Sequence, residues 1–310
     1  MKKISICVPV YNEEENIEDM YLALSDTMNT LSKYDYEILF ADNCSTDNSA
    51  NILRDLASKD KKVKVTLNNR NFGPTRSGLN NLLKASGDAM IVIPCDFQEP
   101  VDMIPVFLDE WEKGNLIVMG QKTKSEENKF MYFVRSTYYF VLRKMSSNNQ
   151  FKHVTGFGLY DRSVIEQVRL YHDSFRGMKL YISEFGYQVK LIPYKQLKRK
   201  KGKSSYNIRR YFDLAFSMIF QSSETIFRSI LKVGAGIIFV DIVAMLVYII
   251  NTVNQSMPIN LNTILLFFIL FVLGIIIVSL SIIGEYVKMI LKRATKNPLV
   301  IEKDSINFDK

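Results

Sequence analysis

Residues 4–14 read ISICVPVYNEE and residues 36–47 read YEILFADNCSTD. Each begins as a short run of β-branched and aromatic side chains, Ile4 to Val10 and Tyr36 to Ala41, and stops at a cluster of turn-forming and acidic residues. The same texture returns at Val63 to Leu67, Ala89 to Ile93 and Leu116 to Met119. Between these runs, Glu13 to Leu31, Asp47 to Ser58, Thr75 to Ala85 and Met103 to Trp111 have helical spacing. Ser45-Thr46-Asp47 supplies an N-terminal stop ahead of one helix, and Pro74 suits the first turn of another. Strands alternating with helices specify a mostly parallel sheet covered by helices. No internal repeat or low-complexity linker interrupts the alternation.

The chain has 310 residues, 47% of them hydrophobic and 23% charged, with three cysteines. That composition excludes a disordered chain and a disulfide scaffold. A mean hydropathy of +0.00 hides an uneven distribution, because residues 242–284 carry no Asp, Glu, Lys or Arg. Val233 to Val253, apolar apart from Asp241, and Leu261 to Ile283 are each long enough to cross roughly 30 Å of hydrocarbon. Basic residues flank the pair, Arg228 and Lys232 before it and Lys288, Lys292, Arg293 and Lys296 after it, while residues 251–260 between the spans have none. The positive-inside rule then places both flanks in the cytoplasm. Lys2-Lys3 is followed by too short an apolar run for a secretory leader. The expectation is a multi-pass protein of the cell (inner) membrane with its large N-terminal part and C-terminus cytoplasmic. Asp241 in mid-span needs a partner or a polar path, and structural pairing and a direct role both stay open.

Residues 129–144, KFMYFVRSTYYFVLRK, suit a helix lying in the membrane interface, with a buried core helix as the alternative. Tyr206 to Ile230 is similarly amphipathic. The expected divisions are 1–125 for the sheet-bearing core, 126–230 for the part with the amphipathic helices, 231–287 for two transmembrane helices and 288–310 for a cytoplasmic tail.

In open sheets of this kind ligands gather at the carboxyl ends of the strands. Those ends carry Pro9 to Glu13, Asp42-Asn43, Asn69 to Gly73 and Pro94 to Gln98. Asp42 and Asp96 therefore fall along one edge. Carboxylate and amide oxygens in a short loop suit Mg²⁺ or Mn²⁺, which keep part of their shell for substrate phosphates, and Asp96 with Gln98 meets that need. A plain loop cap is the bland reading of the same triplet.

VPVYNEE at 8–14, DNCSTD at 42–47, Asn71 and Gly73 with Arg76 and Gly78, Gly87-Asp88 and DFQEP at 96–100 together resemble family 2 glycosyltransferases of the GT-A, Rossmann-like fold. TGFGLYDR at 155–162, FRG at 175–177, Arg199 with Gly202, Ser204 and Tyr206, the paired spans and GEY at 284–286 narrow the likeness to the polyprenyl-phosphate branch. That branch includes dolichol-phosphate mannose synthase and bacterial transferases that load glucose or aminoarabinose on undecaprenyl phosphate. The resemblance implies that Pro9, Tyr11, Glu13 and Asp42 line the nucleotide, with Asn71, Gly73 and Arg76 also on the donor. It implies that Asp96 and Gln98 hold the metal, that Arg135 serves the acceptor phosphate, and that Arg199, Gly202 and Ser204 close over the donor diphosphate. Three departures stand out. Pro94 replaces an expected Asp, which weakens metal binding; His153 replaces an Asp, as a structural group or a substrate contact; and Ser205 replaces a Lys. Lys122 stands where Arg is common, keeping charge but losing bidentate geometry.

A lipid phosphate is already anionic and attacks without losing a proton, so no general base is assigned. The implied reaction is inverting transfer of one hexose-type sugar from a UDP- or GDP-sugar to polyprenyl phosphate, for cell-envelope glycan assembly or modification. Two alternatives remain: a transferase acting on a lipid-linked saccharide, and a catalytically weak or dead nucleotide-sugar-binding scaffold. Self-association and a flippase are the further partners consistent with this reading. Nucleic acid is not expected despite a pI of about 9.1. The run Lys195 to Arg210, with eight Lys or Arg and no acid, suits substrate phosphates and anionic lipid headgroups.

Overall fold

The computed structural model describes residues 1–124, 154–170, 177–197, 199, 261–294 and 298–308. The first half follows the expected alternation: β1 (Lys2–Val10), α1 (Ile17–Thr30), β2 (Tyr34–Asp42), α2 (Ser49–Lys59), β3 (Val63–Asn68), α3 (Pro74–Lys84), β4 (Ala89–Val92), α4 (Met103–Glu112) and β5 (Ile117–Lys124). Then come β6 (Val154–Asp161), α5 (Arg162–Leu170), α6 (Met178–Phe185), β7 (Lys190–Lys195), α7 (Leu261–Ala294) and β8 (Glu302–Ile306).

Side chains alternate across a strand, and that alternation builds two cores on one sheet. Ile4, Ile6, Val8 and Val10 of β1 join Ile38 and Phe40 of β2 against Met20 and Leu24 of α1, Leu53 of α2 and Phe107 of α4. Cys7 and Leu39, one residue out of phase, face the other way with Met90 of β4, against Leu82 of α3, Ile165 of α5 and Ile182 of α6. Helices thus cover both faces and leave the strand ends for ligands.

The sheet is mixed and, as expected, mostly parallel, with six of its eight strands pointing one way. Its order is β7-β5-β6-β4-β1-β2-β3-β8. Strands β4, β1, β2 and β3 run parallel, as do β5 and β7, whereas β6 is antiparallel to both its neighbours and β8 is antiparallel to β3. The antiparallel strand β6 was not among the expected runs, because it reads VTGFGLYD, whose two glycines hide a strand from pattern reading. At Gly158 a Cβ would lie 2.4 Å from the Val118 carbonyl oxygen, so only glycine lets β5 and β6 pair there.

Residues 288–310, expected as a cytoplasmic tail, carry parts of two elements: residues through Ala294 continue α7, and β8 returns to the edge of the sheet beside β3. Arg54 pairs with Asp304 and Lys84 with Glu302, and Asn307 Nδ2 donates to the carbonyls of Ala57 (2.6 Å) and Val63 (2.8 Å). The chain accordingly divides into two compact units, one holding the sheet with α1–α6 and the other holding α7.

Helix α7 is continuous over 34 residues and contains the second expected span. Among the described residues, no helix is long and apolar enough to cross a membrane. The first expected span, Asp241, His153, Ser205 and both amphipathic segments also lie outside the described residues.

Candidate active site

The parallel strands β4, β1 and β2 end side by side, and three loops leave from their carboxyl ends. The loop after β1 and the loop after β2 are laced together. Asn12 N–H donates to Ser45 Oγ (2.9 Å), Thr46 N–H to Asn12 Oδ1 (2.8 Å), Glu13 N–H to Ser49 Oγ (3.0 Å) and Asn48 N–H to Glu14 Oε2 (2.8 Å). Asn12 sits at φ 57, a left-handed conformation that asparagine tolerates. The Glu13 carbonyl accepts from Asn16 N–H (2.8 Å) and Ile17 N–H (3.2 Å). This turn explains why α1 starts at Ile17 and not at Glu13, and it leaves the Glu13 side chain for the site.

Asp42 is 2% exposed, and its carboxylate is taken up by the Ser45 hydroxyl and the Ser45 N–H at 3.2 and 3.3 Å. Burial pushes its pKa up, the Ser45 donors oppose that, and Asp47 adds to the rise. Asp42 is placed at the strand end as expected, with its carboxylate shaping the loop Asn43–Asn48.

The loop after β3 rests on asparagines. Asn43 Nδ2 donates to Asn71 Oδ1 (2.9 Å), and Asn43 Oδ1 accepts from Phe72 N–H (2.9 Å) and Asn68 Nδ2 (3.3 Å). Asn71 Oδ1 also accepts from Gly73 N–H (2.9 Å), and Gly73 has φ 84, which demands glycine just before α3. Asn43 and Asn68 are both buried; the sequence places Asn43 at a strand end without a role and does not mark Asn68. Their signal was the clustering of Asn at two strand ends, which a turn explains equally well.

Arg76 departs from the donor-side expectation. Its Nε donates to the Leu299 carbonyl (2.6 Å) and its Nη2 to the Pro298 carbonyl (2.7 Å), so its guanidinium grips the segment leading into β8.

The loop after β4 carries the acidic centre. Asp96 Oδ1 accepts from Gln98 N–H (3.2 Å), while Phe97 between them adopts φ 58 and packs against the main core. A bulky residue in that region costs about 1–3 kcal/mol and persists where its surroundings fix it. Leu197 N–H donates to the Gln98 carbonyl (3.0 Å), which brings the end of β7 onto this loop. Two residues later Arg199 pairs with Glu13 through Nη2 and approaches Asp96 Oδ2 to 3.8 Å through Nη1. Asn16 Nδ2 secures the other Glu13 oxygen at 2.7 Å. Burial pushes the Glu13 pKa up, and Asn16 and Arg199 counter that rise.

Glu13, Asp96 and Arg199, which are 83 residues or more apart in the pairs Glu13–Asp96 and Asp96–Arg199, thus form one charged centre beside Gln98. Pro9 and Tyr11, both half-buried, stand at the end of β1. Arg135, Gly202 and Ser204 lie outside the described residues. Among the described residues no three His, Cys, Asp or Glu cluster as a ready metal cage. Asp96 and Gln98 share one loop, and the Arg199 cation stands beside Asp96.

Residues 5–169 match the family model described as Glycosyl transferase family 2. The chain belongs to that family. Its mixed α/β sheet is GT-A-like, and the chain is a glycosyltransferase. The SfII prophage-derived bactoprenol glucosyl transferase of Shigella flexneri is 29% identical over 304 residues, spanning 98% of each chain. The prophage bactoprenol glucosyl transferase homolog of Escherichia coli (strain K12) is 28% identical over 302 residues, 97% of this chain and 98% of that one. Among solved structures, glucosyl-3-phosphoglycerate synthase from Mycobacterium tuberculosis with Mn²⁺, UDP and phosphoglyceric acid aligns at a TM-score of 0.44 and 16% identity. That alignment covers 71% of this chain and 76% of that chain, a likeness too loose to transfer any residue.

Proposed function

We propose that this glycosyltransferase moves one hexose, glucose by the names of its relatives, from a nucleoside diphosphate sugar to a polyprenyl phosphate at the cytoplasmic membrane face. UDP is the first nucleotide to test, with GDP second. The observation that carries the reading is the Glu13–Arg199–Asp96 centre at the strand ends of a chain similar to bactoprenol glucosyl transferases over nearly its whole length.

Charge accounting supports it. The departing nucleoside diphosphate gains negative charge, and Arg199 stands where such charge is met by a fixed cation in a partly desolvated site. The acceptor, a phosphate monoester, attacks as an anion, so the site needs no base and no residue is given that role. Asp96 and Gln98 fit a hard divalent ion, which takes one or two protein oxygens and leaves the rest of its shell to phosphates. When bound there, Mg²⁺ or Mn²⁺ supplies additional charge stabilisation to the diphosphate. Pro94 leaves this loop one carboxylate short of the pattern it resembles, so the bound ion is held weakly and Arg199 carries more of the load.

The membrane placement rests on two further observations. Among the described side chains of α7, Leu265, Phe268, Ile269, Ile276, Leu280, Ile283, Val287 and Ile290 are exposed, mostly at intervals of three, four or seven residues, as an apolar stripe. Such a stripe is stable against lipid and unfavourable in water. Because β8 rejoins the sheet that β1–β7 build, the chain between β7 and β8 begins and ends on the same side of any bilayer, which requires an even number of crossings. Two spans, near 233–253 and 261–283, meet that requirement.

Pro94 also favours a second reading, a nucleotide-sugar-binding scaffold without turnover. Membranes containing the full chain, incubated with labelled UDP-glucose, undecaprenyl phosphate and Mn²⁺, separate the two. A labelled lipid that releases its sugar in mild acid is expected. Bound UDP with no labelled lipid from UDP- or GDP-hexoses would leave the scaffold.

A further inference from the structure

The transfer step above makes no use of Glu99, yet three strands meet at its carboxylate. Glu99 follows Gln98 directly and is 3% exposed. Its Oε1 accepts from the Tyr194 hydroxyl of β7 (3.1 Å) and from Thr155 Oγ1 of β6 (3.4 Å), and lies 3.9 Å from Lys122 Nζ of β5. The surroundings are built to hold it. Tyr194 meets Phe157 edge-on at 5.5 Å, Phe157 meets Phe107 of α4 at 4.9 Å, and Thr123 Oγ1 donates to the Tyr194 carbonyl (3.1 Å). At Gly120 a Cβ would come within 2.8 Å of the Phe157 ring and 2.9 Å of the Tyr194 ring, so the absence of a side chain there lets both rings in.

The consequence lies in what Tyr194 leads to. From Tyr194 the chain reaches Arg199 in five residues and is tied to the β4 loop three times on the way: Tyr194 to Glu99, Leu197 to Gln98, and Arg199 toward Asp96. Glu99 thus anchors the segment that delivers Arg199, and it also faces Lys122, a second cation of β5. A purely structural clamp across three strands would be as well served by apolar side chains, because burying a carboxylate carries a desolvation cost that apolar packing avoids.

We propose that Glu99 is a positioning residue that fixes Arg199 and Lys122 relative to the Asp96–Gln98 loop, so that both cations face the leaving diphosphate. The inference rests on the transfer reading and deepens it: the substrate touches the two cations, and Glu99 acts through them. Removing a side chain that orients a directly acting group costs about 10–100-fold in activity.

The test uses the full chain in detergent or membranes, with UDP titration for binding and UDP-glucose with undecaprenyl phosphate for transfer. Glu99→Gln keeps the shape and the acceptor for Tyr194 and Thr155 but removes the charge facing Lys122. Tyr194→Phe removes one hydroxyl and guards against a Glu99 variant that fails to fold. In both, kcat is expected to fall, about 10–100-fold for Glu99→Gln and less for Tyr194→Phe, while UDP binds at wild-type stoichiometry. In the Lys122→Gln background, Glu99→Gln should cost less than it does alone, because the two act as a unit. A Glu99→Gln kcat within twofold of wild type would overturn the proposal. So would a rate loss matched by an equal loss of UDP stoichiometry, which marks a fold defect, or fully additive costs with Lys122→Gln. Absence of labelled lipid from the wild-type chain would instead refute the transfer reading and this inference with it.

Discussion

Arg76→Ala separates two roles for one guanidinium. From the motif, Arg76 belongs to the donor; in the fold it donates to the carbonyls of Leu299 and Pro298 at 2.6 and 2.7 Å and lies 5.1 Å from the Phe72 ring centroid. Hydrogen bonds from a charged donor contribute about 1.5–3 kcal/mol each when water cannot replace them. Arg76 is only partly buried, so water recovers part of that, and about 2 kcal/mol for the pair is the reasonable sum. The loss falls on the β8 segment, which is also tied by Asn69 N–H to the Ile301 carbonyl (3.0 Å), Asn80 to Glu302 (2.8 Å), the Arg54–Asp304 and Lys84–Glu302 pairs, Asn307 and the β3 pairing. An edge strand opens without the rest of the sheet, so its local opening should become roughly 30-fold more frequent while the global unfolding midpoint hardly moves. Amide hydrogen exchange of residues 302–306 in the full chain, beside UDP titration, reads both quantities. Faster exchange in β8 with UDP affinity within about twofold of wild type is expected, since 1.4 kcal/mol would already be tenfold. Unchanged exchange with UDP affinity lowered tenfold or more would return Arg76 to the donor site and refute the argument.

Asp96→Ala should abolish transfer while UDP still binds, measured by labelled-lipid formation and UDP titration; full activity would remove Asp96 from the chemistry. Arg199→Ala should lower kcat by about a hundredfold, the usual scale for losing one preorganised charge-stabilising donor, and a kcat unchanged within error counts against its role on the diphosphate. Glu37 is buried, which alone would raise its pKa, but donation from Ser5, Lys3, Lys64 and the Ser86 N–H outweighs burial and holds it down to about 2. A depressed carboxyl contributes stability that is fully present above its unfolded value and is lost as pH falls toward the folded one. Thermal unfolding of wild type should thus lose about 2–3 kcal/mol between roughly pH 4.5 and 2, and Glu37→Gln should flatten that slope; identical acid slopes would contradict the pairing. Gly158→Ala places a methyl against the Val118 carbonyl and should destabilise the β5–β6 pairing by about 1–3 kcal/mol, read as a lower unfolding midpoint.

Much of the donor half was legible from the chain alone because its elements are local. A run such as Ile4 to Val10 is continuous, its period is two, and its turn residues lie next to it, so the parallel strands β1–β4 and the loops bearing Glu13, Asp42 and Asp96 follow from neighbours in sequence. The uncharged stretch 242–284 is likewise a one-dimensional fact. What could not be read is pairing across distance. Gly158 of β6 is unfavourable for a strand until β5 comes close enough to need it, and EKDSI of β8 has no apolar alternation because it occupies a sheet edge. Arg76 is the same side chain in either role, and only the return of the C-terminal segment turns it from the donor to Pro298 and Leu299. The sequence by itself determined which residues stand at the strand ends. The tertiary structure decided which of them share a charge, because Coulomb and hydrogen-bond energies depend on distances of a few ångströms, and Glu13, Asp96 and Arg199 acquire theirs only when β1, β4 and β7 enter one sheet.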